Sequence, residues 1–220
     1  MVTNLRLTRC CPGDRRDSII AVAAEVFAQE GYGATSMSTI AARLGGSKAT
    51  LYKYFPSKEQ LFEAVMQQRC ESVLAPLRDL RGSNSDDLEV LLAGFGARFL
   101  VKIYEPQALD VHRLIQSEGG RFPELAEAFF RAGPNAVVDE LSSTLTRFVA
   151  RGLIVCDDVT LAAGQYLGML RGDRHLRFSS GLLPAPEPDE IDHHARHAAQ
   201  IFVRGLMPRV PAAHIPTGTS

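Results

Sequence analysis

Apolar residues recur along this chain at intervals of three and four, with polar residues between them, and no stretch sustains the strict alternation of a half-buried strand. Helices follow. Ile19, Ile20, Ala23, Val26 and Phe27 mark one face of a helix that Asp14 can cap and that Gly31-Tyr32-Gly33 ends near Glu30. Met37, Ile40, Ala41 and Leu44 mark a second, short helix, capped by Ser36 and ended by Gly45-Gly46. Ser47 can cap a third, with Leu51 and Phe55 inward and Lys48, Ala49, Thr50, Tyr52, Lys53 and Tyr54 outside. Pro56 stops it. Ser57 and Gln60 then stand as a capping box before Leu61, Phe62, Val65 and Met66, in a helix that runs to about Leu80 and so reaches beyond the first three.

After the linker-like Arg81-Gly-Ser-Asn-Ser85 the same period predicts helices at Asp86–Tyr104, Gln107–Ser117, Phe122–Ala132, Pro134–Arg151, Asp158–Phe178 and Asp189–Met207. Pro123 and Pro134 sit near helix starts and Gly152 just past an end, where such residues fit. The expectation is an all-α chain: a flexible arm over 1–13, a three-helix unit over 14–60, a larger helical domain over 61–207 and a disordered tail over 208–220.

Two short helices around a glycine turn, the second rich in donors, make a helix-turn-helix, a unit that presents its second helix to the major groove of DNA. The net charge of −1 over 220 residues looks unsuited to nucleic acid until it is divided. Residues 1–60 hold 8 Lys+Arg against 5 Asp+Glu, and the remainder 16 against 20, so the positive end is the end with the motif. An acidic body must then face away from the duplex. That small excess also disfavours a sequence-independent architectural protein.

No signal-peptide core and no membrane-length apolar run is present, which predicts a soluble cytoplasmic protein. Cys10, Cys11, Cys70 and Cys156 lack paired C-x-x-C spacing and read as free thiols. His193 and His197 stand at i, i+4 with His194 beside them. Without a further ligand pattern they read as an exposed helix face rather than a metal site. Gly172-Asp173-Arg174-His175 with Ser179-Ser180 holds an acid, a base and hydroxyls, yet no nucleophile elbow, phosphate loop or carboxylate pair accompanies it. No catalytic residue and no resident cofactor is expected.

Phe27, Gly31-Tyr32, Thr35, Ile40-Ala41, Gly45, Ser47, Thr50-Leu51-Tyr52, Tyr54-Phe55, Ser57-Lys58-Glu59 and Leu61-Phe62 together resemble the tetracycline-repressor (TetR) family of bacterial transcriptional regulators. Gly46 departs from it, since the family more often has a valine there. Arg121-Phe-Pro-Glu-Leu125 and Gly168-Met-Leu-Arg-Gly-Asp-Arg-His175 look like the AcrR and AefR-like subgroup. The resemblance implies a homodimer on an inverted-repeat operator, released when a small molecule binds the body. It implies that Ser47, Lys48, Ala49, Thr50 and Lys53 approach bases or phosphates, while Ser36, Tyr52, Tyr54 and Lys58 hold the DNA backbone. Chemistry agrees for Lys48 and Lys53 as donors to guanine or phosphate, and for Thr50 as a methyl or hydroxyl contact. Candidate effector contacts are Phe99, His112, Gln116, Phe130, Tyr166 and Met169, aromatics with a few polar groups suited to an apolar pocket. In the family the last two helices pair with their twins, which nominates Leu167, Leu170, Ala195, Ala198, Ala199 and Phe202 for the dimer interface.

Overall fold

The computed structural model describes residues 12–82 and 85–208, so the arm up to residue 11, with Cys10 and Cys11, and the tail from 209 lie outside the described residues. Ten helices account for the secondary structure there: α1 (Pro12–Glu30), α2 (Met37–Arg43), α3 (Lys48–Tyr54), α4 (Lys58–Gly82), α5 (Leu88–Ile103), α6 (Pro106–Glu118), α7 (Pro123–Ala132), α8 (Pro134–Ala150), α9 (Val159–Ser179) and α10 (Pro188–Leu206). Helix α1 starts two residues before Asp14, which therefore is not its cap.

The first three helices close on α4 because their apolar faces meet one aromatic cluster. Phe27, Tyr32 and Phe62 are buried with ring centroids 5.3–5.6 Å apart, two of the three pairs edge-on. Such geometry adds about 0.5–1.5 kcal/mol per pair beyond simple burial. Ile19, Ile20, Ala23, Val26, Met37, Ile40, Ala41, Leu51 and Phe55 complete the cluster, as their spacing predicts. It does not stop at the head. Leu125, Ala128 and Ala132 of α7 belong to the same apolar cluster, and Val111, Leu114 and Ile115 of α6 pack against it.

The body is built on α5, whose Leu88, Leu91, Leu92, Phe95, Phe99 and Leu100 are buried. Helix α10 lies along it in the most extensive helix–helix contact of the fold. The approach is close because the facing residues are small: a Cβ on Gly96 would stand 3.3 Å from that of Ala195 and 2.8 Å from the Tyr166 hydroxyl. Helices α4, α6, α7, α8 and α9 complete the body. One feature was absent from the periodicity. Helix α9 is broken at Gly172 (φ 52°, ψ −166°), a backbone that side-chain-bearing residues rarely adopt. Near the break the Leu170 carbonyl is 2.9 Å from His194 Nε2 of α10, and that imidazole satisfies it.

Candidate nucleic-acid interface and body cavity

Ser36 and Ser47 do as their positions predict. Each hydroxyl accepts from the backbone N–H three residues on, Thr39 and Thr50, at 3.1 Å, starting α2 and α3. Gly45 takes φ 62° between them, the left-handed turn that lets two helices meet sharply. Leu51 and Phe55 are buried, so α3 turns Ser47, Lys48, Ala49, Tyr52 and Lys53 to solvent, with Thr50 and Tyr54 half-buried. The Lys48 ammonium rests 5.9 Å from the Tyr52 ring centroid. At Gly46 the space a side chain would take is filled from α1, since an added Cβ would be 2.9 Å from an Arg15 guanidinium nitrogen.

Lys58 has a different environment from the others. Its ammonium donates to the carbonyls of Tyr32 (2.9 Å) and Thr35 (3.2 Å) and sits 4.1 Å over the Tyr32 ring. The turn between α1 and α2 is therefore held by a cation on its carbonyl side. On its amide side it is held by an anion: Glu118, the last residue of α6, accepts from the N–H of Tyr32 (3.0 Å) and of Gly33 (2.6 Å). The fit leaves no room for a side chain, as a Cβ on Gly31 would meet Glu118 at 2.4 Å and one on Gly33 would meet Phe122 at 2.9 Å. The Thr35 hydroxyl closes the turn on Gly31 O at 2.6 Å.

Helix α6 also forms a wall of a cavity of about 880 Å³ in the body, through Gln107, Ala108, Val111, His112, Ile115 and Gln116. Met66 and Cys70 of α4, Phe99 and Ile103 of α5, Phe129 and Phe130 of α7, Val137 of α8, and Arg171 and His175 of α9 complete most of the rest. This brings together Phe99, His112, Gln116 and Phe130. Tyr166 and Met169 do not line it. The Tyr166 hydroxyl is buried and donates to Leu92 O at 2.7 Å, while Met169 packs on the core behind the cavity. Arg171 and His175, named from the sequence only within the motif around Gly172 and not as effector contacts, line it instead. The cue was a run of polar residues beginning at the position where glycine interrupts an apolar helix.

Burial sets the electrostatics of this cavity. His175 is held down at about 4, chiefly by burial and then by the nearby His112 and Arg171. His112 is lowered too, by burial first and Arg171 second, and surrounding protein lowers Arg171 although its side chain still reaches solvent through the cavity. The Cys70 thiol is pushed up to about 11 by burial, so it is not a ready thiolate.

The residues nominated for the dimer interface are a second correction. Leu167, Leu170, Ala195, Ala198, Ala199 and Phe202 are all buried within the chain's own core, where they pack against α5 and one another. The outer faces of α9 and α10 carry other residues: Leu161 and Ile201 are exposed, and nothing lies within 4 Å of a Cβ added at Gly164, Gly168 or Gly205. Of the three histidines, His194 is engaged with α9, and His193 and His197 stack with rings 6.2 Å apart. Among the described residues no helix is long and apolar enough to cross a membrane.

This geometry matches known proteins at both ends of the chain. A family described as bacterial regulatory proteins, tetR family, matches residues 19–65, and the C-terminal domain of AefR-like transcriptional repressors matches 90–205. The chain belongs to the TetR family. It is 33% identical to the Flavonoid-responsive Regulator FrrA, whose structure superposes with a TM-score of 0.75 over 90% of this chain and all of that one. GusR of Salmonella enterica is 25% identical with a TM-score of 0.65 over 90% of this chain and 99% of its own. The transcriptional activator FasR of Mycolicibacterium smegmatis is 35% identical over 96 residues, and RutR of Escherichia coli 31% over 138. Those two matches cover 44% of either chain for FasR, and 61% of this chain and 57% of RutR. TetR-family proteins are DNA-binding transcriptional regulators that act as dimers, and these relatives are regulators rather than enzymes.

Proposed function

We propose that this chain is a homodimeric repressor that holds an inverted-repeat operator with two copies of α3 and releases it when a small molecule occupies the body cavity. The observation that carries the reading is the double duty of α6, which lines the cavity along its length and grips the head with its last residue. A ligand that prefers a shifted α6 must shift the turn at Tyr32–Gly33, and with it the orientation of α3. In this reading the head is 14–60 and the regulatory body 61–207. Ser47, Lys48, Ala49, Thr50 and Lys53 read bases and adjacent phosphates, and Ser36, Tyr52 and Tyr54 hold the DNA backbone. Lys58 acts mainly by fixing the α1–α2 turn. A second copy of the chain packs on the outer faces of α9 and α10, around Leu161, Gly164, Gly168, Ile201 and Gly205, whose small residues permit close helix approach.

The AefR-like match supports a repressor rather than an activator. The test is fluorescence anisotropy on the promoter fragment of the protein's own gene against random DNA, with and without added compound. The flavonoids to which FrrA's name refers are the first to try. Linkage requires reciprocity: a compound that weakens operator binding tenfold must itself bind tenfold more weakly to the operator complex, about 1.4 kcal/mol of coupling. Equal binding to promoter and random DNA refutes the regulator reading, and independent affinities refute the switch.

A further inference from the structure

The cavity read above as the effector site holds a cation, Arg171, that no carboxylate meets among the described residues. Three cationic side chains line it, Arg69, Lys102 and Arg171, against one carboxylate, Glu105. Lys102 takes that carboxylate at 2.7 Å, and the Arg69 guanidinium donates to the Gln107 carbonyl at 3.4 Å. Arg171 makes no hydrogen bond or ion pair among the described residues; its guanidinium lies 5.7 Å from the Phe99 ring centroid. Among the described residues no carboxylate lies within ion-pair distance of it. The nearby polar pairs of α9 are already closed, Asp173 with Arg177 and Arg174 with Glu190.

Two imidazoles share this wall. His112 and His175 meet edge-on at 5.5 Å, and Tyr104 flanks His175 at 5.7 Å. Most of the remaining wall is apolar: Met66, Phe99, Ile103, Ile115, Phe129 and Val137. We infer that the cavity takes an amphipathic ligand with a single anionic head, an organic acid whose carboxylate or equivalent is received by Arg171 with His112 and His175 beside it, and whose apolar body lies against the α4, α7 and α8 walls. This rests on the reading of the cavity as a ligand receptor.

The physical reason is asymmetry between occupants. A guanidinium keeps its charge at neutral pH, so it must be hydrated or paired. Arg171 reaches solvent through the cavity; a wholly apolar ligand that covered it would expel that water with nothing to replace it, whereas an acid of the same size pairs with it. Burial keeps both imidazoles neutral near pH 7, so each offers one ring N–H as a donor without adding a charge. The site therefore discriminates on head-group charge, and the apolar wall sets how large a body it accepts.

The test uses two fluorescent probes of one shape, anilinonaphthalene sulfonate and its uncharged parent phenylnaphthylamine, titrated into the full-length protein. The sulfonate is expected to bind at least about tenfold more tightly than the neutral parent. Arg171→Gln should abolish that preference while changing neutral-probe affinity by less than about twofold, and Arg171→Lys should retain part of it. Circular dichroism shows whether each variant folds. Should Arg171→Gln fail, the wild-type comparison of the two probes still decides. Equal binding of both probes to the wild type, or equal loss of both in Arg171→Gln, overturns the head-group assignment while leaving a ligand cavity in place. Failure of both probes to bind overturns the assignment together with the receptor reading.

Discussion

Replacing Glu118 by alanine should break the polar link between the cavity wall and the α1–α2 turn, leaving the apolar contact of α6 with the head. The carboxylate accepts two backbone N–H bonds, one from buried Tyr32 and one from exposed Gly33. A bond to a charged acceptor contributes about 1.5–3 kcal/mol, and the exposed one lies at or below the low end because water can replace it. The pair is worth about 2–3 kcal/mol, which for a chain of this size lowers the melting midpoint by roughly 4–12 °C. The local signature is sharper. Loss of about 2 kcal/mol at one amide corresponds to about thirtyfold faster hydrogen exchange at Tyr32, while amides in the α5–α10 core keep their protection relative to the new global stability. Glu118→Gln should fall between, since its carbonyl replaces one acceptor and its NH2 group faces the other N–H. Operator affinity of the free protein should change little, because α3 is untouched, but the loss of affinity caused by a ligand should shrink. Gly31→Ala supplies the cross-check: its Cβ would collide with the carboxylate, so combining it with Glu118→Ala should cost less than the two changes summed, leaving only the strain of φ 80°. Unchanged exchange at Tyr32 and Gly33 with an unchanged midpoint would refute the account of α6 as the link.

Other outcomes are open to direct measurement. Gly46→Val should raise stability by about 1 kcal/mol through lower unfolded-state entropy and added apolar burial, because only the flexible end of Arg15 must move; a lower midpoint would contradict this. Lys48→Ala should cost about 1–3 kcal/mol on the operator and relax preference at one base position, whereas Lys58→Ala should lower thermal stability by about 1–2 kcal/mol through the two carbonyls it abandons. Equal losses on operator and random DNA for Lys48→Ala would reverse that division. His175 makes stability fall with acid: below about pH 6.5 the unfolded chain binds a proton that the folded chain refuses until about pH 4, so its contribution is intact above the upper value and lost across that window. For a half-buried ring this amounts to about 1–2 kcal/mol after allowing for screening, and His175→Phe should flatten the acid limb of a pH–stability curve. Leu161→Glu with Ile201→Glu should convert a dimer to monomers in light scattering without altering helix content, since both side chains are exposed in the single chain.

What the sequence conveyed well was local. Serine caps, a glycine turn and an i, i+4 apolar pair act within a few residues of one another, so the helices of the head and their inward faces could be read directly and stand as expected. The body helices were legible within one or two residues for the same reason, each bounded by Pro, Gly or Asp. What could not be read was which neighbour covers a stripe. The alanines of α10 and the leucines of α9 look like an interface because they are small or apolar and regularly spaced, but periodicity is blind to whether the covering surface is α5 or a second chain. For the dimer proposed here the pointer is an exception on the outer faces: Leu161 with Gly164 and Gly168 on α9, and Ile201 with Gly205 among polar residues on α10.

The same limit explains Glu118 and Arg171. Glu118 closes α6 in a segment that reads as an ordinary polar helix end, and its partners are backbone amides 85 and 86 residues away, which carry no side-chain signature. Arg171 stands beside a mid-helix glycine and reads as a surface residue; it is exposed in the fold too, but toward the cavity that α6 also lines. Both are polar groups whose meaning depends on long-range closure, and both belong to helices that line the cavity. A fold can specify its core through repeated local cues, yet a switch must join distant parts. On the proposed reading, the residues that make this chain responsive are therefore the ones least marked by local pattern; for Arg171 the cue is an isolated charge beside a break in an apolar helix, and Glu118 has none.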